Sequence, residues 1–341
     1  MIASISKILI YFIFLLVSGL FAQWPLWSNP SLPVGGENSG EGLWKNQVAF
    51  SVSSNYQILH WSHDKLDINS EPEVNIIEDH HGDLQTSVIH LNSTIGLSDN
   101  FNLNITTSIG ERWMDYKGKN ETIHHRSEST KDSMGLYMGT TIIARYLILN
   151  EKIGPGKRIF LGLGLVIPSK NSLKYDPYLL TESLEKHTHF AISDGNFKSV
   201  LELQYFNRKK GLFFYGSTFR YDKVLKTNEY GYKSGDSFNY VGFIFFHHQK
   251  TLKYFLPYVN LSASHKFKDY WEESGLAENS DGGFANLGIG FNKKFDTFKI
   301  NFTLNTTVYS WITPANDYAK QVDSALKSYY FSFSLGKTLN Y

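Results

Sequence analysis

The chain has 341 residues, a formal net charge of +1, 25 Phe, 21 Tyr and no cysteine. A charge so close to zero gives no electrostatic attraction toward nucleic acid, and the lack of cysteine excludes disulfide frameworks, thiolate metal sites and a lipid anchor on cysteine. The chain is rich in aromatic residues although its mean hydropathy is mildly polar. A membrane β-barrel combines these properties, because its aromatic side chains face lipid while its lumen stays polar.

Residues 1–22 have the pattern of a secretory signal peptide. Lys7 supplies a positive charge, and the apolar run at residues 8–20 that follows is too short to cross a bilayer as a helix. We expect cleavage after Ala22, so that the mature chain begins at Gln23.

Residues 23–45 are rich in Gly, Pro and Asn, and they predict an irregular N-terminal lead-in or partial plug. From residue 46 to residue 341, apolar and polar residues alternate many times; Phe101, Leu103 and Ile105, for example, alternate with Asn and Thr residues. Successive side chains of a strand point to opposite faces, so this pattern indicates strands with one apolar and one polar face. We predict about twelve strands, at residues 48–61, 86–98, 101–112, 134–149, 158–167, 197–207, 212–222, 238–248, 253–267, 284–294, 297–311 and 328–341.

The connections between these strands alternate in length. Those at residues 99–100, 208–211 and 295–296 are short, whereas those at 63–85 and 168–196 are long and polar. Outer-membrane barrels have short periplasmic turns and long external loops, whereas a soluble β-sandwich or propeller gives no reason for such alternation. The sequence therefore predicts an all-β, antiparallel transmembrane β-barrel in a bacterial outer membrane, with both termini in the periplasm.

The C-terminal segment resembles the assembly signal of bacterial outer-membrane proteins. Polar Ser334, Gly336, hydrophobic Leu339 and terminal aromatic Tyr341 fall at the matching places. The resemblance implies that the barrel-assembly machinery and outer-membrane lipid are partners of this chain.

The polar strand faces predict the lining of the lumen. A barrel of about twelve strands lies between small barrels filled by side chains and wide porins. We predict that a narrow path for a small-molecule solute is lined by His90, Arg145, Glu202, Arg220, Lys266, Lys299, Tyr240 and Phe246. The alternative is that Arg145, Arg220 and Glu202 pair inside a closed barrel that conducts nothing, because buried charges need partners.

Histidines concentrate in the predicted external loops. His187 and His189 are separated by one residue, so their imidazoles could bind one metal ion, although a simply solvated loop is the alternative. We expect no cofactor. We also expect no enzymatic activity, because His90 and Ser93 are an odd number of residues apart and point to opposite faces of their strand.

The segment Phe-Leu-Gly-Leu-Gly-Leu-Val-Ile-Pro-Ser at residues 160–169 resembles the phenol-degradation-pathway transporter family of outer-membrane barrels. In that family a Gly-rich strand runs into Pro-Thr-Gly or Pro-Ser-Gly; Pro168 and Ser169 match, and Lys170 replaces the Gly. Residues 192–195 and the Arg145–Tyr146 pair are also similar to family segments. The resemblance implies a channel that passes small hydrophobic or aromatic solutes inward. The alternative function is a structural or binding barrel whose long, His-rich external loops hold a partner, a surface polymer or a metal ion.

Overall fold

The structure is a computed structural model that describes residues 42–64, 79–116, 136–149, 156–170, 172, 191–207, 212–246, 255–272, 275–276, 280–295, 298–312 and 325–340. The predicted signal peptide, most of the lead-in, His187, His189 and Tyr341 lie outside these residues. Within the described ranges, no helix is both long and apolar enough to cross a membrane.

Twelve long antiparallel strands of the described chain close into a barrel. They are β1 (Gln47–Asp64), β2 (Asp79–Ser98), β3 (Phe101–Tyr116), β4 (Tyr137–Leu149), β5 (Lys157–Pro168), β6 (Lys198–Asn207), β7 (Phe213–Val224), β9 (Ser237–Phe246), β10 (Phe255–Lys266), β13 (Gly282–Lys294), β14 (Lys299–Ile312) and β15 (Ala325–Asn340). Three two-residue strands, β8 (Tyr232–Lys233), β11 (Tyr270–Trp271) and β12 (Gly275–Leu276), form a separate small sheet. The predicted fold class is confirmed.

Barrel closure joins the first strand to the last. β1 pairs with β15 from Gln47 opposite Asn340 to Ser62 opposite Ala325, and every other barrel strand pairs with its neighbours in chain order. We call the end where β1 begins and β15 ends the turn end, because the short connections lie there. The opposite end, which carries the long connections, is the loop end.

The distribution of side chains is the reverse of that in a soluble protein. Leu163 and Ile289 on the outer face are each 61% exposed, whereas Asn301 and Thr303 on the inner face are 1% and 0% exposed. Exposed large apolar side chains lie on every barrel strand except β3, whose outward-facing apolar residues are partly exposed, and the inner face is dominated by Asn, Ser and Thr. Such an exterior is stable against hydrocarbon, and the pattern is that of a transmembrane barrel.

Three long connections join into a cap at the loop end, on the side of β6 to β13. The Asn196 side chain donates to the carbonyl of Tyr232 at 2.9 Å and accepts from the Ser234 amide at 2.8 Å. The Tyr232 hydroxyl donates to Asp269 at 2.8 Å, and burial beside that carboxylate raises the pKa of Tyr232 well above its usual value. These buried hydrogen bonds tie the connections before β6, before β9 and before β13 to one another.

Candidate functional site

The lumen contains a cavity of about 150 Å³ that extends from mid-barrel toward the loop end. Strands β2 to β7 and the start of β9 surround it, and the connection before β6 contributes Ile192, Ser193 and Asp194. Three kinds of surface line this cavity: a charged wall, a wall of hydroxyl, amide and imidazole groups, and an apolar strip between them.

The charged wall is built on a row of residues that face one another across strands. Arg145 on β4 is opposite Gly162 on β5, and Gly162 is opposite Glu202 on β6. Arg145 donates to the Glu202 carboxylate through Nε at 2.7 Å and Nη2 at 3.1 Å. A Cβ at position 162 would lie 3.2 Å from Oε1 of Glu202. Glycine therefore leaves the space over β5 through which the pair meets.

Two further ion pairs complete this wall. Nε of Arg220 lies 2.6 Å from Oδ1 of Asp222, and Lys198 pairs with Asp194. Burial acts to raise the pKa of Asp194, but the charge and hydrogen bond of Lys198 outweigh it and hold that pKa below its ordinary value. The cavity lining thus contains three cationic and three anionic side chains in three pairs.

The opposite wall carries polar groups without formal charge from β2 and β3. His90 is 5% exposed, and its Nδ1 lies 2.7 Å from the Ser108 hydroxyl oxygen. Its Nε2 has no hydrogen-bond partner among the described residues. The Thr106 hydroxyl donates to the Asn92 side chain at 2.7 Å. This wall therefore contains a buried imidazole nitrogen with no partner among the described residues, beside hydroxyl and amide groups.

The His90–Ser108 contact has the composition of a serine–histidine pair. Activation of a serine requires a third group that orients the imidazole through its other ring nitrogen. That nitrogen, Nε2, has no partner in the described part of the chain, so this pair lacks the support of a catalytic triad.

An apolar strip separates the two polar walls. Met138, Ile143 and Val166 belong to β4 and β5 and line the cavity, with Ile192 at the loop end. The nearby Arg112 guanidinium donates to the carbonyl of Ala191 at 2.8 Å, so the connection before β6 is fastened across the lumen.

Side chains fill the lumen near the turn end. Phe243, Phe245 and Tyr258 form a buried cluster with Val241, against which Phe214 and Leu256 pack. Ring centroids of Phe245 and Tyr258 are 5.1 Å apart, and Asn301 donates to the Tyr258 hydroxyl at 2.9 Å.

The last residues of the lead-in enter the lumen at the same end. The Leu43 amide donates to Oδ1 of Asn102, and Nδ2 of Asn102 donates to the Leu43 carbonyl, both at 2.9 Å. Gly42 packs against the ring of Phe160, and the Trp44 carbonyl lies over Gly96, where a Cβ would be 2.0 Å away. Because Asn102 is opposite Arg145, the lead-in reaches the level of the Arg145–Glu202 pair.

The structure brings four of the predicted lumen residues together: His90, Arg145, Glu202 and Arg220 all line the cavity. Lys266, at the loop end of β10, pairs with Asp269 of the cap. Lys299 begins β14 at the turn end, two residues from inward-facing Asn301. Neither lysine lines the cavity.

The assignment of Tyr240 and Phe246 to the lumen is wrong. They are 41% and 37% exposed, and the intervening Val241, Phe243 and Phe245 are the buried, inward-facing residues. Both faces of β9 are apolar, so residue type alone does not reveal which face is inside.

Other predicted residues have separate positions. Ser334 is buried on the inner face of β15, Leu339 is exposed on the outer face, and Gly336 faces Ser51 of β1. The candidate metal residues His187 and His189 lie outside the described residues, among which no group of three His, Asp or Glu could hold a metal ion.

Sequence reasoning missed Lys198, Asp194 and Asp222. The two-residue spacing of Arg220 and Asp222 on one strand was a signal for their pairing.

Comparisons with known proteins give the fold. No family model matches this sequence, and no curated protein does. The structure is similar to that of an outer-membrane channel from Pseudomonas putida F1, with 12% identity, a TM-score of 0.55 and coverage of 88% of this chain and 98% of that chain. It is also similar to the P. putida toluene transporter TodX, with 7% identity, a TM-score of 0.40 and coverage of 86% and 90%. The first likeness confirms the β-barrel fold of this chain.

Proposed function

We propose that this chain is an outer-membrane channel that passes small solutes, with its loop end outside the cell and both termini in the periplasm. The observation that carries the proposal is the cavity inside the closed barrel, lined by His90, Arg145, Glu202 and Arg220. A barrel whose only role were structural would gain stability by filling this space, because interiors are normally close-packed.

The location follows from the two surfaces of the wall. Its exterior is apolar and its interior polar, which suits a wall between lipid and a hydrated path. The orientation rests on the lengths of the connections, since outer-membrane barrels keep short turns in the periplasm and long loops outside.

The solutes are expected to be small because packed side chains narrow the lumen at the turn end. A solute that leaves the cavity toward the turn end meets Leu43, Phe160 and the aromatic cluster, all of which are packed inside the barrel. Passage therefore needs local movement of side chains or of the lead-in. A wide, porin-like flow of large solutes is not expected.

We infer that the barrel has no enzymatic role. The His90–Ser108 pair lacks an orienting group within the described chain, and it lies inside the lumen wall.

Single-channel conductance in planar bilayers tests the proposal. The full mature chain, refolded and inserted, should give small conductance steps. Ser108→Trp places an indole in the cavity and should reduce the conductance severalfold. Ser87→Trp is the matched control, because Ser87 faces outward on the neighbouring strand β2. The absence of any conductance above that of the lipid alone would favour the rival function, a non-conducting binding or structural barrel.

A further inference from the structure

We propose that the cavity is a binding site for a neutral, polyhydroxylated solute, such as a small polyol or a monosaccharide. This inference rests on the proposed channel function, because it names the class of solute that the channel would select. It stands on four properties of the cavity: charge balance, an unpartnered nitrogen, an apolar strip and size.

The balance of charge disfavours ions as solutes. Arg145 with Glu202, Arg220 with Asp222 and Lys198 with Asp194 are paired within the wall. An anion or cation that entered would lose hydration and would compete with an existing ion pair for its partner. A neutral solute avoids this loss, because it can bind the remaining donors and acceptors of the pairs without separating them.

The unpartnered Nε2 of His90 is enclosed in the cavity wall. A solute reaches it only when the imidazole turns toward the cavity, and the group that Nε2 then favours is a hydroxyl. When Ser108 donates to Nδ1, Nε2 carries the proton and needs an acceptor; when Nδ1 donates to Ser108, Nε2 needs a donor. A hydroxyl serves in both cases, because it is at once a donor and an acceptor. A hydrocarbon would leave this buried nitrogen without a hydrogen bond, which is costly.

The arrangement of the walls fits a molecule with a C–H face and hydroxyl groups along its edges. The strip of Met138, Ile143 and Val166 can contact carbon-bound hydrogens. The two polar walls on either side can then bond hydroxyls on both edges. A fully apolar solute would fit against the apolar strip. It would displace water from both polar walls without replacing the hydrogen bonds of that water.

The size of the cavity suits a small solute. A volume of about 150 Å³ corresponds to several water molecules, each of which occupies about 30 Å³ in the liquid. A solute of this size replaces the hydrogen bonds of water at the walls only when it carries several polar groups. Small polyols have this property.

Binding is tested first, because it does not depend on transport. Saturation-transfer difference NMR is measured with xylitol and the full mature barrel in detergent micelles. We expect a saturable signal for the wild type. In His90→Leu the apparent affinity for xylitol should fall roughly two- to tenfold, because one hydrogen bond is lost. His60→Leu is the matched control, because His60 lies on the outer face beside Asp83. A signal that is absent, or that is equally weakened in both variants, would overturn the site.

Flux then separates this inference from the proposed function. In liposome-swelling measurements, xylitol should enter faster than xylonate, the anion with the same five-carbon chain, and His90→Leu should remove much of that preference. Conductance without a preference for xylitol over xylonate would overturn the solute class and leave the channel intact. Saturable xylitol binding without any conductance would overturn the channel and leave the site intact.

Discussion

The two halves of the lumen are packed differently, although one continuous barrel wall surrounds both. Toward the loop end, paired charges and polar groups surround open space. Toward the turn end, Phe243, Phe245 and Tyr258 pack with neighbouring side chains, and Leu43 enters from the lead-in. The polar half can therefore recognise a solute by hydrogen bonding, whereas the apolar half sets the resistance to its passage.

The charged half should be the more sensitive to loss of a single partner. Glu202→Leu leaves Arg145 buried without its carboxylate, and we expect a loss of about 4 kcal/mol in the free energy of unfolding. Urea titration of the barrel in lipid measures this loss. The double variant Arg145→Met with Glu202→Leu should recover most of it, because neither charge is then left alone. A double variant as unstable as the single one would show that the pair is not the cause.

Loss of one aromatic ring from the apolar half should widen the path through the lumen. Phe245→Ala removes a ring from the buried cluster, and we expect a loss of about 3 kcal/mol together with a larger single-channel conductance. Phe246→Ala is the control, because the neighbouring ring faces outward. Equal effects of the two variants on conductance would show that the cluster does not narrow the path.

The lead-in provides a smaller contribution to the same half. Asn102→Ala removes both hydrogen bonds to Leu43, and we expect a loss of about 2 kcal/mol and more frequent long openings in bilayer recordings. Asn340→Ala removes an exposed amide contact with Gln47 at the same end and should leave both measurements nearly unchanged. An Asn102→Ala channel that records like the wild type would exclude the lead-in as a restriction.

The smallest expected effect is on the pH dependence of the stability. The pKa of Asp194 is depressed in the folded chain, so its pair with Lys198 stabilises fully above the ordinary carboxyl pKa. That stabilisation is lost as the pH falls through the folded-state pKa. Urea midpoints measured from neutral pH into this acid range should fall less steeply for Asp194→Asn than for the wild type. Parallel profiles would contradict this role of Asp194.

The sequence predicts the barrel well because lipid imposes a strict two-residue period on each strand. It predicts the ends of strands less well where that period stops. The structure extends β2 back to Asp79, seven residues before the predicted start at 86, because backbone pairing with β1 continues to Asp64 opposite Asp79. Polar residues there carry no apolar signal, although the ladder of hydrogen bonds persists.

The site is only partly predictable for a related reason. Alternation identifies His90, Arg145, Glu202 and Arg220 because polar and apolar faces differ on their strands. It fails on β9, where both faces are apolar. The cap and the contribution of Asp194 depend on long-range hydrogen bonds, such as that from Asn196 to the Tyr232 carbonyl, which no local pattern encodes.

Gly162 has a mechanical consequence. The Arg145–Glu202 bond passes over this residue and links β4 with β6, two strands that share no backbone ladder. This ion pair connects β4 and β6 across β5. Pulling β5 out of the barrel wall would therefore break the ion pair in addition to two rows of backbone hydrogen bonds. In force-extraction experiments the segment from β4 to β6 should therefore leave the membrane as one unit.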